Sequence, residues 1–171
     1  MKMGRGWAAC VACVCALSLG SGAAWAGGPQ GKGFGLGLIL GEPSGLSLKN
    51  WFTVDQAVQA HLSFDFSDEA FALLVDYLYH FDIARLGTSG VELPVYVGIG
   101  GKVLVDADDK DDHHADNDDG SVGLGVRIPL GLAILPTKLP LEFFLEVGLG
   151  LRVIPATHAD IDGGLGVRYY F

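Results

Sequence analysis

Three arginines recur in a near-repeat towards the end of the chain. The pattern Gly-Leu-Gly-(Val/Leu)-Arg ends at Arg127, Arg152 and Arg168. Hairpin geometry is expected to bring Glu146 close to Arg127 on one side and to Arg168 on the other. A carboxylate accepts charge-assisted hydrogen bonds from guanidinium groups. The spacing therefore predicts an Arg–Glu–Arg belt, and removing Glu146 alone is expected to cost about 3–5 kcal/mol because two buried cations lose their counter-charge.

Other charged residues share the phase of these arginines. The predicted ionic network contains Arg127, Glu146, Arg168, Arg152, Glu142, Lys102 and Asp76. We expect this network to fill the interior of the fold as a plug. The functional alternative is a narrow charged conduit.

His61 and Ser63 form a second arrangement that is able to do chemistry, because a serine nucleophile needs an adjacent base. Their His-x-Ser spacing resembles that of outer-membrane lipid A deacylases, so a lipid-active enzyme is one alternative. We expect both side chains to point away from lipid, with His61 bonded to a carboxylate such as Asp76. The sequence contains no phosphate loop, nucleophile elbow or metalloprotease helix. We predict no catalytic residue and no enzymatic activity.

The segment 106–120 is the most polar part of the chain, with eight aspartates, one lysine and the pair His113-His114. Carboxylate oxygens suit hard cations such as calcium, and imidazole suits zinc or copper. The aspartates of this candidate metal site are Asp106, Asp108, Asp109, Asp111, Asp112, Asp116 and Asp118. The ordered Asp-x-Asp-x-Asp-Gly spacing is missing, because Gly120 comes one place too soon. We expect a solvated acidic loop, no bound metal and no cofactor.

Composition narrows the class of protein. The chain has 171 residues, half of them hydrophobic, which fits one domain. A formal net charge of −9 leaves no surplus of cations for phosphates, so no nucleic-acid partner is predicted.

Residues 1–26 have the three-part pattern of a secretory signal peptide. Lys2 and Arg5 are basic, an apolar stretch follows, and Ala24-Trp25-Ala26 forms the cleavage site. The apolar stretch is shorter than the roughly 20 residues that span a bilayer, which disfavours a membrane anchor. All three cysteines lie inside this segment, so residues 27–171 have none for disulfides or thiol catalysis.

From residue 27 onward the main pattern is alternation with period two, which indicates β-strands. Eight segments alternate in this way: 33–41, 45–52, 57–66, 70–81, 91–105, 121–132, 141–153 and 163–171. An even number of antiparallel strands can close into a barrel that has no free edge.

The two faces of these segments differ in chemistry. The apolar phase carries no charged residue, whereas the opposite phase carries the charges and many glycines. Small residues suit the crowded interior of an eight-stranded barrel, so we place lipid on the apolar side, where a charge costs about 2–4 kcal/mol. The alternative is a soluble periplasmic barrel that carries an apolar ligand inside.

Aromatic residues of the apolar phase fall near the two rims of the expected barrel. One group contains Phe64, Phe66 and Phe71, and the other contains Phe34, Phe52, Tyr79, Phe81, Phe143, Tyr169 and Phe171. Such rings of aromatic residues are typical of membrane interfaces.

The chain ends in Gly-Val-Arg-Tyr-Tyr-Phe. Tyr169 and Phe171 in this ending resemble the assembly signal that is read by the outer-membrane barrel-insertion machinery. Residues 27–171 resemble the small eight-stranded OmpA/OmpX-like barrels, and the first hairpin, from Gly35 to Ser47, resembles an uncharacterised family of predicted bacterial outer-membrane barrels. The connections at 42–44 and 67–69 are short for the OmpA/OmpX-like class.

This resemblance implies an outer membrane of Gram-negative type, periplasmic termini and an extracellular acidic loop at 106–120. The implied partners are outer-membrane lipid, lipopolysaccharide and the insertion machinery. Pro94 and Pro129 interrupt strand ladders, and both are expected towards the periplasmic ends of their strands.

The sequence therefore predicts an all-β protein, an eight-stranded antiparallel transmembrane β-barrel that exists as a monomer. Its expected role is structural or in surface interaction, with the interior plugged by the ionic network.

Overall fold

The computed structural model describes residues 28–42, 44–65, 70–85, 90–106, 122–155 and 157–171. The predicted signal peptide lies outside these residues. So does the predicted acidic loop, except that the backbone of Asp106 ends a strand. Within the described ranges, no helix is long and apolar enough to cross a membrane.

A short 3-10 turn at Pro29–Gly31 precedes eight strands. The strands are β1 Phe34–Glu42, β2 Gly45–Trp51, β3 Gln56–Asp65, β4 Ala70–Arg85, β5 Val91–Asp106, β6 Val122–Pro136, β7 Leu141–Ile154 and β8 His158–Tyr170. Each strand pairs antiparallel with its sequence neighbours, and β8 pairs with β1, so the sheet closes. This confirms the predicted closed, eight-stranded antiparallel barrel.

Three strands extend four or more residues further than the sequence pattern predicts. β4 continues to Arg85, β6 continues to Pro136, and β8 already begins at His158. In β6 the pattern loses contrast because the buried Ala133 and Leu135 make the interior phase apolar as well. At the start of β8, Asp160 and Asp162 are half-buried and Ile161 between them is exposed, so alternation between the two faces begins before the predicted start at residue 163.

The apolar phase faces outward along the barrel. Leu149 is 51% exposed and Val167 is 37% exposed, whereas the neighbouring Arg168 is fully buried. A carrier of an apolar ligand requires the reverse arrangement, with its apolar face turned inward. The alternative of a soluble periplasmic barrel that carries an apolar ligand is therefore not supported by the described strands.

One end of the barrel, which we call the terminal end, carries the start of β1 and the end of β8. Its outer surface is ringed by exposed aromatic residues: Phe34, Phe52, Tyr79, Phe81, Phe143, Tyr169 and Phe171. Ring centroids lie 6.4 Å apart for Phe34 and Phe171 and 4.9 Å apart for Tyr79 and Phe81. This is the aromatic group predicted for one rim; the side chains of Phe64 and Phe66 at the other rim lie outside the described part.

The segment before β1 packs against inward-facing side chains at the terminal end. Gly28 and Pro29 are buried there, and a Cβ on Gly28 would lie 2.9 Å from Cδ1 of Trp51. The Trp51 indole N–H donates to the Tyr170 hydroxyl at 3.0 Å. These contacts hold the segment before β1 against Trp51 and join Trp51 to the end of β8.

The two prolines lie where the pairing of neighbouring strands is irregular or incomplete. Pro94 lies opposite Asp82, next to a register shift in β4. Pro129 lies where the β5–β6 register is interrupted, and Gly98 makes room for it, since a Cβ there would lie 2.9 Å from the Pro129 Cγ. The expected position of Pro94 near a strand end holds. That of Pro129 was wrong, because β6 runs on to Pro136 and leaves Pro129 in mid-strand.

Interior glycines leave the space that large side chains of adjacent strands occupy. Gly131 lies opposite Tyr96, and a Cβ on Gly131 would overlap the Tyr96 ring. Gly101 differs, because it belongs to the outward phase and a Cβ there would approach only the Gly125 carbonyl oxygen, at 3.6 Å.

We expect Gly131→Val to lower the free energy of unfolding by about 1–3 kcal/mol, because the added side chain displaces the buried Tyr96 ring. Gly101→Val on the adjacent strand is the matched control and is expected to be nearly neutral. Urea unfolding of the folded barrel measures both effects. Equal losses for the two variants would contradict this account of the packing.

Candidate functional site

The charged residues of the inward phase form two connected clusters inside the barrel. The first, the Glu142 cluster, contains Glu142, Lys49, Arg168 and Tyr170. Oε1 of Glu142 accepts hydrogen bonds from Lys49 Nζ and from Arg168 Nη1, both at 2.9 Å. Oε2 of Glu142 accepts a hydrogen bond from the Tyr170 hydroxyl. All four side chains are essentially inaccessible to solvent.

The position of Arg168 corrects the predicted belt. The expected arrangement placed Arg168 beside Glu146, but the β7–β8 register sets Arg168 opposite Glu142 and sets Glu146 opposite Gly164. The ion pair of Arg168 is therefore made with Glu142. The error arose because the turn between the two strands was given the wrong register, which moves every cross-strand partner along the ladder.

The second cluster, the Arg127 cluster, contains Arg127, Asp76, Glu146 and Asp162. The guanidinium donates through Nη1 to Asp76 at 3.0 Å, and through Nη2 to Glu146 at 2.9 Å and to Asp162 at 2.8 Å. The structure thus brings Arg127 and Glu146 together, as the spacing indicated. Asp162 was missed because the predicted β8 began one residue after it.

Gln59 on β3 joins the two clusters. Its Nε2 donates to Asp76 at 3.0 Å and to Glu146 at 2.7 Å, and its Oε1 accepts from Arg168 Nη2 at 2.9 Å. The Tyr96 hydroxyl adds a further donor to Glu146, at 2.8 Å. Sequence reasoning that followed only charges overlooked Gln59, although its position in the inward phase was visible.

Lys102 lies at the edge of the Arg127 cluster, and Arg152 makes no ion pair within the described residues. Lys102 pairs with Asp160 on β8, and its Nζ is 3.8 Å from Asp162. Arg152 is half-buried, and its Nε has no hydrogen-bond partner within the described residues. Arg152 therefore contributes less to the network than the sequence suggested.

His61 does not bond to Asp76 as expected. The β3–β4 register sets His61 opposite Leu74, and Nε2 of His61 lies 3.5 Å from Oε1 of Glu146. Within the described residues neither ring nitrogen has a hydrogen-bond partner. The Ser63 hydroxyl donates to the Ser44 carbonyl oxygen at 2.8 Å, so His61 and Ser63 are not joined as base and nucleophile.

Three side chains in this region have the chemistry of metal ligands. Ligand atoms of His61, Asp76 and Glu146 all lie within 4.8 Å of one another, and all three residues are buried. A cavity of about 10 Å³, which is near the lower limit for holding one water molecule, is lined by His61 and Glu146 of this group. The aspartates of the predicted acidic metal site lie outside the described side chains.

Glu142→Gln is expected to destabilise the barrel by about 3–5 kcal/mol, because both Lys49 and Arg168 would lose their carboxylate partner. Glu146→Gln is the matched control on the same strand. It is expected to cost less, about 1–3 kcal/mol, because Arg127 keeps Asp76 and Asp162. Urea unfolding gives both values, and a larger loss at Glu146 would contradict the pairing described above.

Comparison with solved structures finds a similar fold in a bacterial protein. The N-terminal β-barrel domain of Pseudomonas aeruginosa OprF is 18% identical in sequence, with a TM-score of 0.46, and the match covers 81% of this chain and 95% of that domain.

The search of curated proteins found no match. Residues 29–166 match the model of DUF3996, a family described as proteins of unknown function. The matched range includes all of β1 to β7 and most of β8. The chain therefore belongs to the DUF3996 family of proteins of unknown function.

Proposed function

We propose that this protein is an integral outer-membrane barrel with a structural or surface-interaction role and with no open pore. The observation that carries the proposal is the apolar exterior of a barrel that is charged inside. Large exposed apolar side chains follow one another around the wall, as in Leu130 on β6 and Leu149 on β7. Soluble monomers rarely expose apolar patches larger than a few hundred Å², whereas lipid chains would cover this surface.

The aromatic ring at the terminal end supports the same placement. Tyr169 is 45% exposed and Phe171 is 65% exposed, and their ring centroids lie 5.0 Å apart. Amphipathic and aromatic side chains concentrate at the boundary between hydrocarbon and headgroups. We place this end at the periplasmic interface, and we propose that Tyr169 and Phe171 on β8 are the residues that the insertion machinery contacts.

The interior supports a closed lumen. Side chains from β2, β3, β4, β5, β6, β7 and β8 meet in the Glu142 and Arg127 clusters and at Gln59 and Tyr96. Trp51 and the buried Gly28 and Pro29 cover the terminal end. An ion that crossed this interior would have to separate several charge-assisted hydrogen bonds. The ionic network is therefore a plug in this proposal.

The remaining features of the proposal follow from the same placement. Residues 1–26 direct export, the partners are outer-membrane lipid, lipopolysaccharide and the insertion machinery, and the barrel is a monomer. We assign no catalytic role to His61 and Ser63, because the Ser63 hydroxyl is committed to a backbone carbonyl. Contact of the acidic segment 106–120 with the cell exterior is the proposed surface interaction.

Ile128→Arg is expected to make the free energy of folding into lipid vesicles less favourable by about 2–4 kcal/mol. The reason is that Ile128 lies on the outward face in the middle of β6. Val122→Arg is the matched control: both wild-type residues are 49% exposed, but Val122 begins β6 at the rim. Its expected cost is about 0–1 kcal/mol. The shift in gel migration between unboiled and boiled samples measures the folded fraction. Equal effects at the two positions would contradict the placement of the middle of β6 in the hydrocarbon layer.

The purified barrel is expected to show no stable conductance in planar lipid bilayers, because the ionic network fills the lumen. Heat-modifiable gel migration of the same sample verifies that the barrel is folded before recording. A stable conductance that decreases in Glu146→Ala would show that the charged interior is a conduit and would contradict the plug.

A further inference from the structure

His61 is a buried polar side chain that the plug does not use. It is 1% exposed, and neither Nδ1 nor Nε2 has a hydrogen-bond partner within the described residues. Burying an imidazole without partners is costly. Its Nε2 points towards Glu146, 3.5 Å from Oε1, and His61 lines the cavity beside Arg127 and Asp162.

The neighbouring carboxylates keep lone pairs free in the same place. Arg127 and Gln59 both bond to Oδ2 of Asp76, whereas Oδ1 of Asp76 has no partner within the described residues. Oε1 of Glu146 accepts one hydrogen bond, from Arg127, and a carboxylate oxygen has a second lone pair. An ion bound to these atoms therefore leaves the contacts of Arg127 in place.

The local charge also favours a cation. The Arg127 cluster contains three carboxylates, Asp76, Glu146 and Asp162, but only one guanidinium. The nearest further cation, Lys102, is paired with Asp160. Lys102 also lies 3.8 Å from Asp162, and with the Lys102–Asp160 pair counted the carboxylates here still outnumber the cations, so negative charge is in excess at this place.

We propose that His61, Asp76 and Glu146 bind one divalent transition-metal ion, of which zinc is representative. The three side chains come from β3, β4 and β7, and their ligand atoms lie within 4.8 Å of one another. An imidazole nitrogen with carboxylate oxygens suits zinc, whereas calcium and magnesium take oxygen ligands. The lining of the cavity at the site includes Glu42, which is exposed at the end of β1. The proposed ion would bind beside the Arg127 cluster in the interior. The proposal does not depend on whether the barrel lies in a membrane.

The test uses the full mature chain with three substitutions, His113→Gln, His114→Gln and His158→Gln. Because the chain has five histidines, this background keeps imidazoles only at His61 and His80. His80 is the matched control, since it is also buried in the interior, at 5% exposure, but its Nδ1 lies 3.2 Å from the Asp55 carbonyl oxygen.

Zinc chloride is titrated into chelator-treated barrel in detergent, in competition with a chromogenic chelator. The expected result is one zinc ion per chain in the background and in the background with His80→Gln. In the background with His61→Gln, affinity is expected to fall at least tenfold. Absence of zinc binding in the background, or equal affinity with His61→Gln, overturns the proposal.

X-ray absorption of the zinc-loaded background chain with His80→Gln tests the site even if His61→Gln does not fold. In that chain His61 is the only remaining histidine. Scattering from one imidazole nitrogen and from carboxylate oxygens supports the site. A shell of oxygen atoms alone overturns it.

Discussion

Pairing each buried charge inside a closed wall is the constraint on which the structure depends. Once β8 pairs with β1, the interior is narrow and is enclosed by backbone, so an inward charge has to find its partner on another strand. An unpaired buried ion costs several kcal/mol. Arg127 meets this constraint by reaching β4, β7 and β8 at once, through Asp76, Glu146 and Asp162. These contacts tie strands together across the lumen in addition to the ladders around the wall.

The two clusters have opposite imbalances and are in contact. The Glu142 cluster has two cations for one carboxylate, and the Arg127 cluster has three carboxylates for one cation. Gln59 links them because its amide donates to the acidic side and accepts from Arg168 on the basic side. The excess charges attract each other through a low dielectric, so the network acts as one unit. The surplus of acid beside His61 is also what makes that place suitable for a cation.

The exterior follows the opposite chemistry, and glycine makes the contrast possible. Gly131 lies beneath the Tyr96 ring, and a Cβ on Gly166 would overlap the Phe144 ring. Without side chains at these positions, the interior has room for long charged residues and a few aromatic rings. Most of the large apolar side chains lie on the outside, and a smaller apolar group that includes Ile39, Leu78 and Leu135 is buried within the barrel. The wall of the barrel is thus apolar on its outer face and carries ion pairs on its inner face.

The sequence by itself determined the number of strands, which residues face in and out, and most of the charges that meet inside, because period two assigns each residue to a face without reference to any partner. Apart from the pair of Arg127 and Glu146, it did not determine which charges pair. Arg168 bonds to Glu142 and not to Glu146, and Gln59 and Asp162 join the network, because partners depend on the register of neighbouring strands and on the residues that face each other across the lumen. The convergence of His61, Asp76 and Glu146 has the same origin. Their positions 61, 76 and 146 carry no shared spacing, and only closure of the barrel brings three strands to one point.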